Sequence, residues 1–306
     1  MIVVVLGGSG FVGSHVRDAL IKGGHEVRVL PAPRIDKAHV GCDASIPREL
    51  VDEYSSLFAG ADAVVNCAGN PDASERDLNA LLAANAISPA VVGQAAKMAQ
   101  VGRLIHVSSA VVQGRRNTLD EGEETEAFSP YAQSKAEGER RVRRVFPQAT
   151  IYRPPSVHAP SRRVTSMTAR IASSPLATVA APGHQPTPQA LIENVAAAIA
   201  FLATAPSSPP AVVIHPWEGL SSSELMELLG GKRPLVLPRA LARAICRGLE
   251  VIGSGIPLVA ANARRVEMLW FGQAQGESWL TTAGWRPPEG KEAWRELGET
   301  FRGRRS

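Results

Sequence analysis

Ile2-Val3-Val4-Val5-Leu6-Gly7-Gly8-Ser9-Gly10-Phe11-Val12-Gly13 is the stretch that decides the fold. The first five residues are apolar, four of them β-branched, with no polar alternation. A strand of this kind is expected to be covered on both faces, as in a parallel sheet. Glycines at 7, 10 and 13 then permit a tight turn, close approach of another backbone and close helix–strand packing. An amphipathic stretch, Phe11–Lys22, follows and stops at Gly23-Gly24.

Working outward, the same alternation repeats. Glu26–Leu30 reads as a second strand, and Gly41-Cys42-Asp43 ends a short third one. Arg48–Phe58 reads as a helix, Ala63–Cys67 as a fourth strand, Leu78–Gln100 as a long helix and Leu104–Ser108 as a fifth strand. Tyr131–Val145 and Thr150–Arg153 add a helix and a sixth strand. Strand–helix alternation of this length predicts an α/β fold with a doubly wound parallel sheet of Rossmann type. After Val157 the prolines at 160, 175, 182, 186 and 188 break the pattern. A helix over Gln189–Thr204 and a strand over Ala211–Ile214 return to the sheet, and Ser221–Leu229 reads as a serine-capped helix. From Gly230 onward an irregular chain is expected, with one basic amphipathic segment over Pro238–Ile252. The expected division is a nucleotide-binding domain over 1–157, rejoined by 188–216, and a smaller C-terminal substrate-binding lobe from 158–187 and 217–306.

The chain has 306 residues, 44% of them apolar and 20% charged, which excludes collagen-like and disordered classes. Lys and Arg exceed Asp and Glu by 33 − 29 = +4, and 27 of the 33 are arginine. The arginines are spread in pairs without one dense block, so no nucleic-acid partner is expected and anionic small molecules suit them better. Cys42, Cys67 and Cys246 form neither a disulfide framework nor a CxxC pair. The seven histidines show no metal-ligand spacing, so no metal is expected. The start of the chain lacks the basic region of a signal peptide, and Val195–Ala205 is too short to span a bilayer. A soluble, cytoplasmic protein without stable membrane insertion is the expectation.

The glycine turn at the start of a helix aims free N–H groups at an anion such as a diphosphate. With a strand before and a helix after, this context points to a dinucleotide. The end of the second strand, Leu30-Pro31-Ala32-Pro33-Arg34, has no acid to hold ribose hydroxyls and has Arg34 within reach of a 2′-phosphate. The site therefore leans to NADP(H) over NAD. Asp43, followed by Ala44, is the candidate for an adenine contact or a turn cap. In Tyr131-Ala132-Gln133-Ser134-Lys135 the spacing of four puts a phenol and an ammonium on one helix face. A neighbouring cation favours the phenolate, so Lys135 is expected to lower the Tyr131 pKa and to bind a ribose. Ser108-Ser109, at the end of the fifth strand, supplies a hydroxyl for a substrate carbonyl.

Through most of residues 1–204 the chain resembles the extended short-chain dehydrogenase/reductase family, which includes nucleotide-sugar epimerases, dehydratases and ketoreductases. Gly7–Gly13 is similar to its GxxGxxG turn, and Asn66-Cys67-Ala68-Gly69 to the segment along the cofactor. Asn85 falls at the family's helix asparagine. Ser108–Gly114 resembles SSxxVYG, and Arg153–Pro160 resembles RPxxVYGP. The resemblance implies Ser109, Tyr131 and Lys135 as the catalytic set. It implies cofactor contacts from Gly7, Ser9, Gly10, Phe11, Val12, Gly13, Cys67, Ala68, Gly69, Asn85, Pro154 and Val157. It also implies a homodimer through Leu78–Gln100 and Tyr131–Val145.

Gln113 and His158 stand where the family has tyrosines, Ala159 where it has glycine, and Asn194 where it has aspartate. Ser156, His158, Arg162, His184 and Arg264 are the candidates for substrate binding. The acidic loop Glu121–Glu126 is expected to be solvated. Leu241, Ile245, Leu249 and Ile252 recur at helical spacing and are expected to pack against their own domain, a membrane surface or lipid-linked substrate being the alternative. The implied activity is an NAD(P)-dependent oxidoreductase on a hydroxyl or ketone of a nucleotide-linked sugar, as 4-ketoreductase or 4-epimerase. A reductase of a non-sugar ketone and a catalytically inactive NAD(P)-sensing protein are the alternatives.

Overall fold

The computed structural model describes residues 1–40, 45–253 and 266–303. The third strand expected to end at Gly41-Cys42-Asp43 lies outside the described residues, as do Asp43, Ala44 and Arg264.

The strands, numbered along the chain, form one six-stranded sheet and three two-stranded ribbons. The sheet contains β1 (Ile2–Leu6), β2 (Glu26–Leu30), β3 (Ala63–Asn66), β4 (Arg103–Val107), β6 (Thr150–Arg153) and β10 (Val212–Ile214). Their order is β10-β6-β4-β3-β1-β2, and every pairing is parallel. The ribbons join β5 (Thr118–Leu119) to β12 (Ala274–Gln275), β7 (Ser156–His158) to β9 (Gln189–Leu191), and β8 (Thr178–Ala180) to β11 (Leu235–Leu237).

The unbroken Val run of β1 has the expected cause. Val3 and Val5 pack with Val16 and Leu20 of α1 (Phe11–Lys22) and with Val195, Ile199 and Leu202 of α6 (Ile192–Thr204). Val4 and Leu6 face the opposite layer. There they meet Val51, Tyr54 and Phe58 from and just beyond α2 (Arg48–Leu57), Val91 and Val92 of α3 (Leu78–Met98), and Val142 of α4 (Pro130–Val145). A strand dry on both faces needs no polar alternation, and side chains two apart serve different layers. α3 has the length and apolar character to cross a membrane, but 67% of that window is buried inside the protein. It is a core helix, with a π-helical turn at Ala83–Ile87.

The C-terminal part departs from expectation. The basic amphipathic segment expected over Pro238–Ile252 is the helix α8 (Arg239–Gly253), but the remaining chain, expected to be irregular, also holds helical residues 266–271, α9 (Trp279–Thr282) and α10 (Lys291–Arg302). Trp294, Leu297 and Phe301 of α10 recur at helical spacing and pack on Leu225, Met226 and Leu229 of α7 (Ser222–Gly230). Asn194 of α6 both donates to and accepts from the Glu289 backbone, tying the start of α10 to the sheet layer.

The acidic loop is exposed over residues 122–126, as expected, while Glu121 is half-buried and anchored. Glu121 accepts from the Ile214 and Trp279 amides at 3.3 and 2.9 Å, and burial raises its pKa. Glu123 pairs with Arg143, while Glu124 and Glu126 pair with Arg116. Gln113 is fully buried; it donates to Asp120 Oδ1 and accepts from the Asp120 amide, so the departure from tyrosine has a structural use.

Candidate functional site

The carboxyl ends of β1, β3, β4 and β6 open on one crevice, where the strand order reverses between β1 and its neighbours. Ligands of open α/β sheets bind at such a switch point. At its floor Gly7 has φ +74°, and its carbonyl accepts from the Gly10 amide at 2.8 Å. A Cβ at Gly13 would run into the Gly7 carbonyl, so only glycine lets α1 start this close to the turn. Gly10 caps α1 without a side-chain hydrogen bond, and the first turn carries no acid. The free amides at Phe11 and Val12 and the positive end of the helix dipole are thereby left for an anion. This cradle fits a dinucleotide diphosphate. Arg34 is exposed on the loop after β2, close enough for its charge to act on Tyr54.

Across the crevice, Gly69 stands against the Asn85 amide and the Lys135 ammonium: a Cβ there would lie 3.2 Å from Lys135 Nζ. Asn85 sits in the π-helical turn of α3. Its Oδ1 accepts from the Asn70 amide, and its Nδ2 donates to the Asn70 carbonyl and to Ser134 Oγ. The extra residue of a π turn aims one side chain out of helical register, and such turns recur at functional sites. Here it fixes the loop that follows Cys67, Ala68 and Gly69.

Ser109, just after β4, sets its hydroxyl beside the Tyr131 phenol, where it acts to lower the phenol's pKa. Tyr131 and Lys135 rise from the first turns of α4, which is capped by Ser129 accepting from the Ala132 amide. The expected hydroxyl and phenol are thus neighbours. Residues 3–214 match the model of the NAD dependent epimerase/dehydratase family. The chain belongs to that family.

A curated relative, "Ceramide reductase" of Caulobacter vibrioides, is 31% identical over 169 residues, covering 52% of this chain and 47% of the relative. The chain thus spans about half the length of the curated relative it matches. Among solved structures, dTDP-4-dehydrorhamnose reductase from Bacillus anthracis, in complex with NADP, is similar at TM-score 0.63 and 15% identity, covering 100% of this chain and 99% of that one. UDP-glucose 4-epimerase from Thermotoga maritima, with UDP-glucose, is similar at TM-score 0.63 and 18% identity, covering 100% of both chains. At these identities the likeness establishes the shared fold.

The electrostatics of this family member differ from the sequence expectation in one respect. Lys135 was expected to lower the Tyr131 pKa, yet the ammonium is turned away. Its Nζ donates to the Val107 carbonyl at 3.2 Å, and it is buried beside Cys67 and Glu139. Burial lowers its pKa to about 8, with Glu139 and then Cys67 opposing the fall. The cation acting on Tyr131 is Arg162, whose guanidinium lies 4.7 Å from the centre of the Phe11 ring. Burial raises the Tyr131 pKa, against the opposing pulls of Ser109 and Arg162. Burial also pushes the Cys67 thiol up to about 12, so it stays protonated beside the site.

Beneath the site lies a polar cluster that the sequence reading missed. Glu139 and Arg153 form a fully buried ion pair, with Nη2 to Oε2 at 2.7 Å and Nε to Oε1 at 3.0 Å. Ser108 Oγ donates to Glu139 at 2.5 Å, and Arg153 Nη1 donates to the Gly122 carbonyl at 2.7 Å. The recurrence of Glu four residues after Lys135 was the available signal.

The substrate candidates scatter. Arg162 faces the crevice, at the N-terminal cap of α5 (Arg163–Ala172). Ser156 and Val157 are half-buried and Pro154 buried on the chain leaving β6. His184 is exposed on the turn beyond Pro182. His158 corrects the expectation of a substrate contact: it is 1% exposed, with Nε2 2.7 Å from Gln189 Oε1 and its ring 5.2 Å from that of Trp294. Its role is packing between β7, β9 and α10.

Proposed function

We propose that this enzyme is an NADP(H)-dependent ketoreductase, acting at a ketone of a nucleotide-linked sugar and using Ser109, Tyr131 and Lys135. The observation that carries the reading is the placement of the Ser109 hydroxyl beside the Tyr131 phenol, near enough to lower its pKa against a burial that raises it. A reductase must begin with a proton to give, whereas an epimerase must first take one, so a raised phenol pKa favours the reductive direction. NADPH, when bound, supplies the hydride. Tyr131 gives its proton to the substrate oxygen, and Ser109 donates a hydrogen bond to the same oxygen. Lys135, whose ammonium lies beside Gly69, would hold the ribose hydroxyls of the bound cofactor. Arg162 steadies the negative charge left on Tyr131. The exposed Arg34 and the lack of an acid after β2 support NADP over NAD.

A second reading, reduction of a ketone on a lipid, is favoured by the curated relative's name together with the exposed apolar residues of α8. The expected homodimer would join the α3–α4 faces. An open pocket of about 240 Å³ lies there, lined by Val40, Leu82, Ile87, Glu137, Arg140 and Arg141.

The test follows NADPH consumption with a dTDP- or UDP-linked 4-ketosugar and, in parallel, with a 3-ketoceramide. Tyr131→Phe should abolish turnover on whichever ketone is reduced while leaving NADPH affinity unchanged. Full activity of Tyr131→Phe would sink the mechanism.

A further inference from the structure

The helix α8 packs by its small residues and shows its large ones. Ala242 and Cys246 form the seam against Ala180 and Trp270, with Leu237 and Phe271 at its margin. Leu241 and Ile245, expected to pack inward, are 49% and 37% exposed, and Val251 is 74% exposed. Just before the helix, β11 pairs, among the described residues, with β8 alone, and its Leu235 and Val236 are 63% and 54% exposed. Around the helix, Leu241 and Ile245 lie on one side of the buried seam and Arg239, Arg243 and Arg247 on the other. All three arginines are exposed.

The charge is one-sided as well. From Leu228 to Gly253 the chain contains Lys232, Arg233, Arg239, Arg243 and Arg247 against one acid, Glu250, and Arg233 pairs with Glu227. Arg239 also donates to the Ala181 carbonyl and lies over the Phe271 ring, which ties the start of the helix to its lobe. A helix with exposed Leu and Ile and three exposed arginines against one acid, Glu250, is the pattern of an interfacial helix. Apolar side chains enter the acyl boundary while guanidinium groups reach the lipid phosphates.

We propose that α8 and the adjoining β11 seat this enzyme on an anionic lipid bilayer surface. The contact is peripheral and reversible, and it does not depend on which ketone is reduced. Each arginine near an anionic surface strengthens partitioning roughly fivefold.

Co-sedimentation of the full chain with phosphatidylcholine vesicles, with and without phosphatidylglycerol, tests this. The expected result is at least tenfold stronger partitioning onto the phosphatidylglycerol vesicles, weakened by salt. The pair Arg243→Glu and Arg247→Glu should reduce it by at least about 25-fold. The pair Leu241→Ser and Ile245→Ser should also release the protein, with helical content and melting temperature unchanged in both. Equal partitioning onto the two vesicle types overturns the proposal, as does indifference to both pairs of substitutions. Self-association without vesicles that the Leu241/Ile245 pair abolishes also overturns it, because a second copy would then be the occupant.

Discussion

Replacing Arg153 with Met leaves the Glu139 carboxylate fully buried, with Ser108 Oγ its one remaining donor among the bonds described. Two guanidinium contacts to the carboxylate disappear, and the Gly122 carbonyl loses its donor. Removing one partner of a buried ion pair costs about 3–5 kcal/mol, and the orphaned carbonyl adds about 1 kcal/mol. The sum, about 4–6 kcal/mol, is a large share of the roughly 5–15 kcal/mol that keeps a domain folded. Glu139→Gln together with Arg153→Met removes both charges and should recover at least about 2 kcal/mol relative to the sum of the single changes. Urea unfolding of the parent, the two single variants and the double variant measures this, provided the slope with denaturant is unchanged. A cost below about 1 kcal/mol for Arg153→Met, or strict additivity, would refute the assignment of the pair as a coupled buried unit. The same cycle has a reading in the site. Glu139 supports the charge on Lys135, whose pKa is about 8. In Glu139→Gln that pKa falls further, so the ammonium is lost at lower pH. The alkaline limb of NADPH binding should move in the acidic direction.

Two further expectations concern stability. Burial lowers His106 to about pKa 3, with Lys135 adding to the fall. It lowers His158 to about 4, where Arg162 assists and Gln189 and Glu218 oppose. Both rings are neutral when folded and take up protons near pH 6.5 when unfolded, so their contribution is present above pH 6.5 and lost as pH falls toward 4. Between pH 7 and 5 the two together should cost about 3–4 kcal/mol, and His158→Gln should remove about half of that slope in urea titrations. Gly138 packs where a Cβ would strike the Asn85 carbonyl. Gly138→Ala should therefore lower stability by roughly 1–3 kcal/mol or more and, by shifting the π-helical turn, weaken NADPH binding. Unchanged affinity measured by fluorescence titration would show that the turn does not position the site.

Much of the sheet was legible because its cause is local. Runs such as Ile2–Leu6 and Ala63–Cys67 are continuous only because both faces are dry, and Gly10 and Gly13 are forced by the Gly7 carbonyl a few residues back. The short ribbons were not legible. Thr118–Leu119 and Ala274–Gln275 are two residues each and become strands only through a partner about 150 residues away. The spacing of Tyr131 and Lys135 placed both on α4 correctly but said nothing of where a long flexible ammonium would point; the Val107 carbonyl decided that. The Leu241 stripe misled for a related reason. Periodicity identifies an apolar face, and a neighbour's shape decides whether that face or the small-residue seam beside it is buried. Trp294, Leu297 and Phe301 carried a helical signal of ordinary strength, obscured by the prolines and glycines before them.

The ties between the sheet and the last elements bear on how the chain is made. Glu121, Asn194 and Glu218 each offer a polar group to a residue beyond 278: the Trp279 amide, the Glu289 backbone and the Trp294 indole. During synthesis every strand of the sheet has left the ribosome before those partners exist. The nascent protein therefore passes through a stage in which its nucleotide-binding crevice is framed while the floor of its second lobe is still open and hydrated.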